Sequence, residues 1–298
     1  MPKEKEKSTQ PEEVRKIPVS EVHPFEGHPF RVVDDELMQQ TVDSVKQFGV
    51  LNPAIVRPAP DGGYEMVSGH RRLHACELAG LKEIPVIVRN LTDDEAVILM
   101  VDSNLQRETI LPSERAAAYK MKLEALKHQG KRADLGDKAT STSRQVGEKS
   151  SWAVAKVGAD ANESERQVHR FIRLNELLPE IREKVDTKEI AFSPAVELSY
   201  LKPDEQKQLL DAMDYSQATP SLSQAQRLKK LSQSGECTQD AMYKVMSEEK
   251  KDELDRITLR SDVLRKYFPR SYTPIQMEQT IIKLLEQWQK KRQRENER

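Results

Sequence analysis

The sequence predicts an α+β protein with a small mixed N-terminal domain, an all-α domain after it and a helical C-terminal segment. Three observations carry that prediction. Between residues 17 and 129, β-branched runs and turn signals alternate with helical stripes. From about residue 143 the apolar residues recur at helical spacing alone. Polar stretches at 130–150 and 215–223 separate the segments. The expected layout is a flexible tail at 1–16, a mixed domain at 17–129, a linker at 130–150, a helical domain at 151–214 and a helical segment at 215–298.

The elements follow in order. Residues 34–48 read as a helix, with Leu37, Thr41, Val45 and Phe48 on one face and Gly49 as the stop. Residues 54–57 and 64–67 read as a hairpin around Asp61-Gly62-Gly63. A helix follows His70 and ends near Gly80, and 84–88 is a β-branched strand. Thr92-x-x-Glu95 fits a capping box that opens another helix. A further helix follows Pro112, with Ala118, Met121 and Ala125 on one face. In the second segment, 151–159 and 165–177 read as two helices across a polar break at 158–164, with Asn162 or Ser164 as the cap. The last helix starts near Pro274 and carries Met277, Ile281, Leu284 and Trp288 on one stripe. That stripe spans about two heptads, fewer than an independent coiled coil needs.

Hydrophobic residues make up 37% of the chain and charged residues 33%. With a mean hydropathy of -0.73, this excludes one large buried core. No run approaches the roughly 20 apolar residues of a membrane span. The charged start MPKEKEKSTQPEE is not a secretory signal, so a cytoplasmic protein is expected. Cys76 and Cys237 lie far apart without metal-ligand spacing and read as reduced thiols. His23, His28, His74 and His128 likewise show no ligand spacing. The net charge of -1 gives no global basic signature, so contact with nucleic acid requires a local basic face.

The most informative stretch is Val67-Ser68-Gly69-His70-Arg71-Arg72-Leu73. A strand ends, glycine allows a tight turn, and a helix opens with two arginines. Free N–H groups at a helix start attract anions, and cations are disfavoured there unless an anion arrives. The pattern fits a phosphate site; the same arginines also fit surface pairs with Glu65 or Glu77. A second stretch, Asp102-Ser103-Asn104-Leu105-Gln106-Arg107, offers Asn, Gln and Arg together at a helix end. It fits one wall of a polar pocket or a solvated helix end favoured by the dipole.

Together, FGVLNPAIVR, SGHRRLHACELAGLKEIPVIVR and SNLQRETIL resemble, in order and spacing, the N-terminal domain of ParB partition proteins. The resemblance covers most of 17–119 and implies a ParB/sulfiredoxin-like fold. It implies that the domain binds CTP with Mg2+ and closes as a clamp around DNA. By position, Gly69, His70, Arg71 and Arg72 fall at the triphosphate, and Asn104, Gln106 and Arg107 at its phosphate and metal side, with Asn104 as the metal contact. Asn52 and Arg57 match the first nucleotide motif. His70 and Ser103 stand where the family carries acidic residues. Losing a carboxylate beside a metal-bound triphosphate removes a ligand or a water-orienting group, so slow or absent CTPase activity is expected. Sulfiredoxin, a relative of the same fold, needs a cysteine where His70 stands, which sets that enzyme aside.

In the helical domain, Val168, Phe171 and Ile172 face inward on the helix at 165–177. Arg166, Arg170 and Arg173 share the opposite face, with Ser164, Gln167 and His169 nearby. That face suits major-groove reading, or the outside of an ordinary helical bundle; the ParB resemblance implies a DNA-binding helix-turn-helix here. The resemblance further implies a homodimer on a palindromic double-stranded site, a ParA-type ATPase partner, and a role at a centromere-like site of a plasmid, chromosome or mobile element. A site-specific transcriptional regulator on the same scaffold, and a nucleotide hydrolase or kinase with this pocket, are the alternatives.

Overall fold

The structure, a computed structural model, describes residues 13–107, 109–134, 143–248, 267–269 and 272–296. It divides into two compact units, Met1–Ser247 and Glu248–Arg298.

The first unit begins with a five-stranded sheet: β1 (Val14–Pro18), β2 (Val22–His23), β3 (Ala54–Pro58), β4 (Tyr64–Ser68) and β5 (Glu83–Val88) in the order β1-β5-β3-β4-β2. β1 runs antiparallel to β5 and β3 antiparallel to β4, while β3–β5 and β2–β4 are parallel. Pro85 sits inside β5, but pairing with β3 begins at Val86, so the missing proline N–H removes no bond from that ladder. The expected hairpin is β3–β4. β1 begins at Val14, inside the expected tail, and of its five residues only Ile17 is buried. An edge strand with one inward residue leaves little period-2 signal.

Side chains alternate across the sheet as its period of two requires. Val56 and Met66 join Met38, Val42 and Val45 of α1 (Glu36–Phe48) and Leu73 and Cys76 of α2 (His70–Ala79). Val67 on the opposite face joins Met100 and Val101 of α3 (Asp93–Leu105) and Ala118 of α4 (Pro112–Asp134). Asp35 caps α1 by accepting the Met38 N–H at 2.8 Å. Thr92 and Glu95 form the expected capping box of α3.

The helical part follows: α5 (Ser143–Ala161), α6 (Glu165–Arg173), α7 (Pro179–Asp186), α8 (Phe192–Leu198), α9 (Pro203–Ser216), α10 (Leu222–Ser234) and α11 (Gln239–Met246). Its core runs without interruption from Ala116 on α4 through Val157, Phe171, Ile181 and Leu209 to Met246. Three expectations differ from this. α4 continues to Asp134 and α5 starts at Ser143, so much of the 130–150 stretch read as linker is helix. Helical turns rich in Lys, Ser and Gln carry no apolar stripe and look like loop in sequence. The polar stretch at 215–223 is a turn inside one core, because α10 and α11 pack beside α8 and α9. Residues 165–177 form a shorter helix than expected: α6 ends at Arg173 and a 3-10 turn takes 174–176.

In the second unit, α12 (Pro274–Asn296) is the expected final helix. Met277 is buried, and Leu284 and Trp288 are exposed.

Candidate functional site

An open cleft of about 1240 Å³ lies between α1, the 49–53 loop, the start of α2 and the 107–115 segment. Gly69 brings the two α2 arginines to its wall. Its φ is +119°, and a Cβ there would lie 2.8 Å from Ala54 Cβ and 3.2 Å from the Arg72 guanidinium. Only glycine allows β4 to turn this tightly into α2.

Arg72 Nη1 donates to the carbonyls of Asn52 (2.6 Å) and Pro53 (2.7 Å). These neutral acceptors orient the guanidinium without cancelling its charge. Arg71 pairs with Asp35 at 3.2 Å, not with either glutamate the sequence offered: Glu65 pairs with Arg57 and Glu77 with His74. Arg107 lies over the Phe30 ring at 5.7 Å and lines the same cleft. Burial pushes the guanidinium pKa of Arg72 and Arg107 down, and at Arg107 the neighbouring Arg71 charge pushes the same way. Desolvated like charges facing one opening make a site that an anion stabilises. Beside them Val33, Leu37 and Leu51 are exposed at 52%, 63% and 76%, an apolar wall next to a cationic one.

The other expected nucleotide residues divide. Asn52 lines the cleft, and Gln106 is exposed at the C-cap of α3. Arg57 is committed elsewhere, to Glu65 at 2.5 Å and Asp93 at 2.6 Å, with Phe25 beneath it. His70 is 7% exposed and turned inward: its ring lies 3.6 Å from that of His28, and its Nε2 accepts the Phe25 N–H at 3.4 Å. Burial pushes the imidazole of His70 down to about 3 and that of His28 to about 4. Asn104 is 4% exposed, and its Nδ2 donates to the Met100 carbonyl at 2.7 Å. Ser103 Oγ donates to the same carbonyl at 2.9 Å.

The residues therefore fit a phosphorylated ligand better than a protein-held Mg2+. Mg2+ favours carboxylate and phosphate oxygens. Among the described residues no group of three His, Cys, Asp or Glu is placed for a metal. The cleft carboxylates Asp35, Glu114 and Asp186 each already accept hydrogen bonds from helix-start backbone N–H groups or hydroxyls. The sequence reading missed Arg31, Glu114, Asp186 and Lys188 in the cleft wall. They come from three distant segments and share no local pattern.

The residues expected to meet DNA lie on and before α6. Gly158 permits the turn from α5, because a Cβ there would lie 2.6 Å from the Glu163 carbonyl oxygen. Ser164 caps α6 by accepting the Gln167 N–H at 3.2 Å. Arg166 and His169 are exposed. Arg170 donates to Gln167 Oε1 at 3.1 Å and Ser193 Oγ at 2.9 Å, and lies 4.9 Å over the Phe192 ring. Arg173 donates to the Ser199 hydroxyl at 3.2 Å and to the Ser199 carbonyl, and lies 4.1 Å over Tyr200. Helical spacing puts the three arginines on one stripe, but α8 packs against two of them.

Fold and cleft define an α+β domain with an arginine-lined cleft, continuous with a helical domain. Residues 3–105 match the family described as ParB N-terminal domain, so this part of the chain is a ParB N-terminal domain. It is 33% identical over 192 residues to the chromosome-partitioning protein Spo0J of Thermus thermophilus, covering 64% of this chain and 62% of that one. It is 40% identical over 113 residues to a nucleoid occlusion protein of Geobacillus, covering 38% of this chain and 40% of that one. The chain thus spans less than two thirds of the length of either relative. A solved structure of C-terminally truncated ParB from Caulobacter crescentus, complexed to the centromeric parS site, aligns loosely, with a TM-score of 0.41 and 23% identity over 72% of this chain and 98% of that one. Among the described residues no helix is long and apolar enough to cross a membrane.

Proposed function

We propose that this chain is a partition-type, site-specific DNA-binding protein whose N-terminal cleft takes CTP and acts as a nucleotide-responsive clamp. The observation that carries the reading is the convergence of Arg71, Arg72 and Arg107 on one cleft, next to Asn52 and an apolar wall. Arginines bind phosphate oxygens through charge-assisted hydrogen bonds, and an apolar wall shields a base. The motif order supports cytidine as the base.

Hydrolysis is slow or absent. His70 and Ser103 stand where the family has acids, and both side chains are turned to internal partners. DNA recognition falls to α6, with Arg166, Gln167 and His169 as base or phosphate contacts and Arg170 and Arg173 as their support. A homodimer reads a palindromic site, and the exposed apolar residues of α12 supply part of its surface. A ParA-type ATPase is the motor partner. The setting is the bacterial cytoplasm, on nucleoid or plasmid DNA.

The test is equilibrium binding of CTP, ATP and GTP, with and without a short duplex recovered by in vitro selection with the wild-type protein. CTP binding in preference to the other two is expected, with phosphate release near the uncatalysed rate. Equal affinity for all three, or for inorganic triphosphate, removes the base pocket. Brisk duplex-stimulated phosphate release from CTP removes the sensor reading in favour of an enzyme.

A further inference from the structure

Among the described residues the Lys122 ammonium is the most deeply buried charge of the helices, with its side chain 0% exposed. It lies on α4, between Ala118, which packs toward α3, and Leu123, which packs toward α5 and α6. The ammonium donates to Asp102 on α3 and to Asp160 Oδ2 on α5, the latter at 2.6 Å. The two carboxylates are 43% and 34% exposed. They can turn to water, and the ammonium in place cannot.

The positions of these acids give the triad its meaning. Asp102 stands in the last turns of α3, just before Asn104 and ahead of the cleft residue Arg107. Asp160 stands in the last turn of α5, just before the turn and the Ser164 cap of α6. A shift of the end of α3 relative to the α5–α6 pair must break one of the two contacts and leave a buried cation half-partnered. Such a state is strongly disfavoured. The triad therefore favours one register between the two regions.

We infer that Lys122 is a positioning residue that couples the cleft end of α3 to the α5–α6 helix pair, so that occupancy of one changes affinity at the other. This rests on the proposed reading of the cleft and of α6 and adds the route between them. The coupling is reciprocal: whatever factor the duplex applies to CTP affinity, CTP applies to duplex affinity.

The experiment measures the CTP Kd of the full chain with and without the selected duplex, for wild type and Lys122→Met. The wild-type ratio is expected to depart from one by about fivefold or more. In Lys122→Met the ratio collapses toward one, while each ligand alone binds within about threefold of wild type. Should Lys122→Met not fold, the combined variant Lys122→Met, Asp102→Asn, Asp160→Asn removes the three charges together, which a fold tolerates far better than one orphaned charge. Hydrogen exchange over residues 100–107 is followed alongside. Duplex binding alters it in wild type and leaves it unchanged in the variants. A wild-type ratio of one, or a ratio and exchange response retained without Lys122, overturns the inference. Absence of CTP binding with the exchange response intact overturns the nucleotide reading and leaves the coupling standing. A wild-type chain that selects no duplex overturns the DNA reading and the coupling with it.

Discussion

Arginines gather in two regions of this chain and are held in opposite ways. At the start of α2, Arg72 is fixed by backbone carbonyls, Arg71 by one exposed carboxylate, and both face an open cleft. On α6, Arg170 and Arg173 lie over aromatic rings and donate to serines of α8 and its end. In the cleft neutral carbonyls orient Arg72 and one exposed carboxylate pairs with Arg71, and both guanidiniums remain at the opening. On α6 neutral hydroxyls and aromatic rings cover two of the three arginines, which leaves Arg166 and His169 as the exposed positions. The same residue type thus faces an open cleft in one place and braces a neighbouring helix in the other. The difference is set by what packs beside each helix.

The largest effect expected from breaking this comparison is at Gly69. Gly69→Ala places a Cβ against Ala54 and the Arg72 guanidinium at a left-handed φ. A loss of about 2–4 kcal/mol in unfolding free energy is expected, read by urea denaturation. CTP affinity falls with it, because the same clash displaces Arg72. A stable Gly69→Ala protein with wild-type nucleotide affinity shows that the turn does not set the arginine.

Arg72→Ala comes next. One desolvated guanidinium meeting phosphate is worth roughly 10- to 100-fold in affinity. Calorimetric titration with CTP should show that loss, and Arg57→Ala should not match it, since Arg57 is held by Glu65 and Asp93 away from the cleft. On α6 the pattern reverses between variants. Arg173→Ala is expected to lower stability by about 1–2 kcal/mol through its lost hydrogen bonds and ring contact. Arg166→Ala should leave stability unchanged and weaken duplex binding. Arg170→Ala should reduce specific binding more than non-specific binding, because Arg170 holds the Gln167 amide. Equal loss on selected and unrelated duplexes removes Arg170 from specificity.

The fold was legible where local chemistry is decisive. The Asp61-Gly62-Gly63 turn, the Thr92–Glu95 box, the Gly49 and Gly80 stops and the Ser164 cap each act within a few residues, and each lies where its pattern places it. The placement of the α2 arginines together at one turn was legible for the same reason, and Gly69 brings both to the cleft wall. What was not legible depends on distant partners. Nothing near Arg31 or Asp186 announces a shared cleft wall. The pattern of α6 shows its inward face but not that α8 claims Arg170 and Arg173. His70 reads as a polar residue in a phosphate motif, and only His28, far away in sequence, explains why its ring turns inward.

That histidine pair gives the smallest and most specific expectation. Burial holds His70 at about 3 and His28 at about 4, below the ordinary imidazole value of 6.5, and the Arg107 charge pushes both the same way. In the folded chain both rings stay neutral at pH 5, whereas in the unfolded chain both are largely protonated. The unfolded state then binds more protons, so stability rises with pH through this window. The pair's contribution is complete above about pH 6.5 and is lost progressively as pH falls toward 4. The loss between pH 7 and pH 5 is set at about 1–2 kcal/mol per ring. Urea midpoints at the two pH values measure it. The double variant His28→Leu, His70→Leu should flatten that part of the profile. Neither ring lines the cleft, so CTP affinity of the folded protein should change much less than its stability over the same range. A parallel fall of both would mean that His70 senses the triphosphate directly, and would bring the inward-turned ring back into the site.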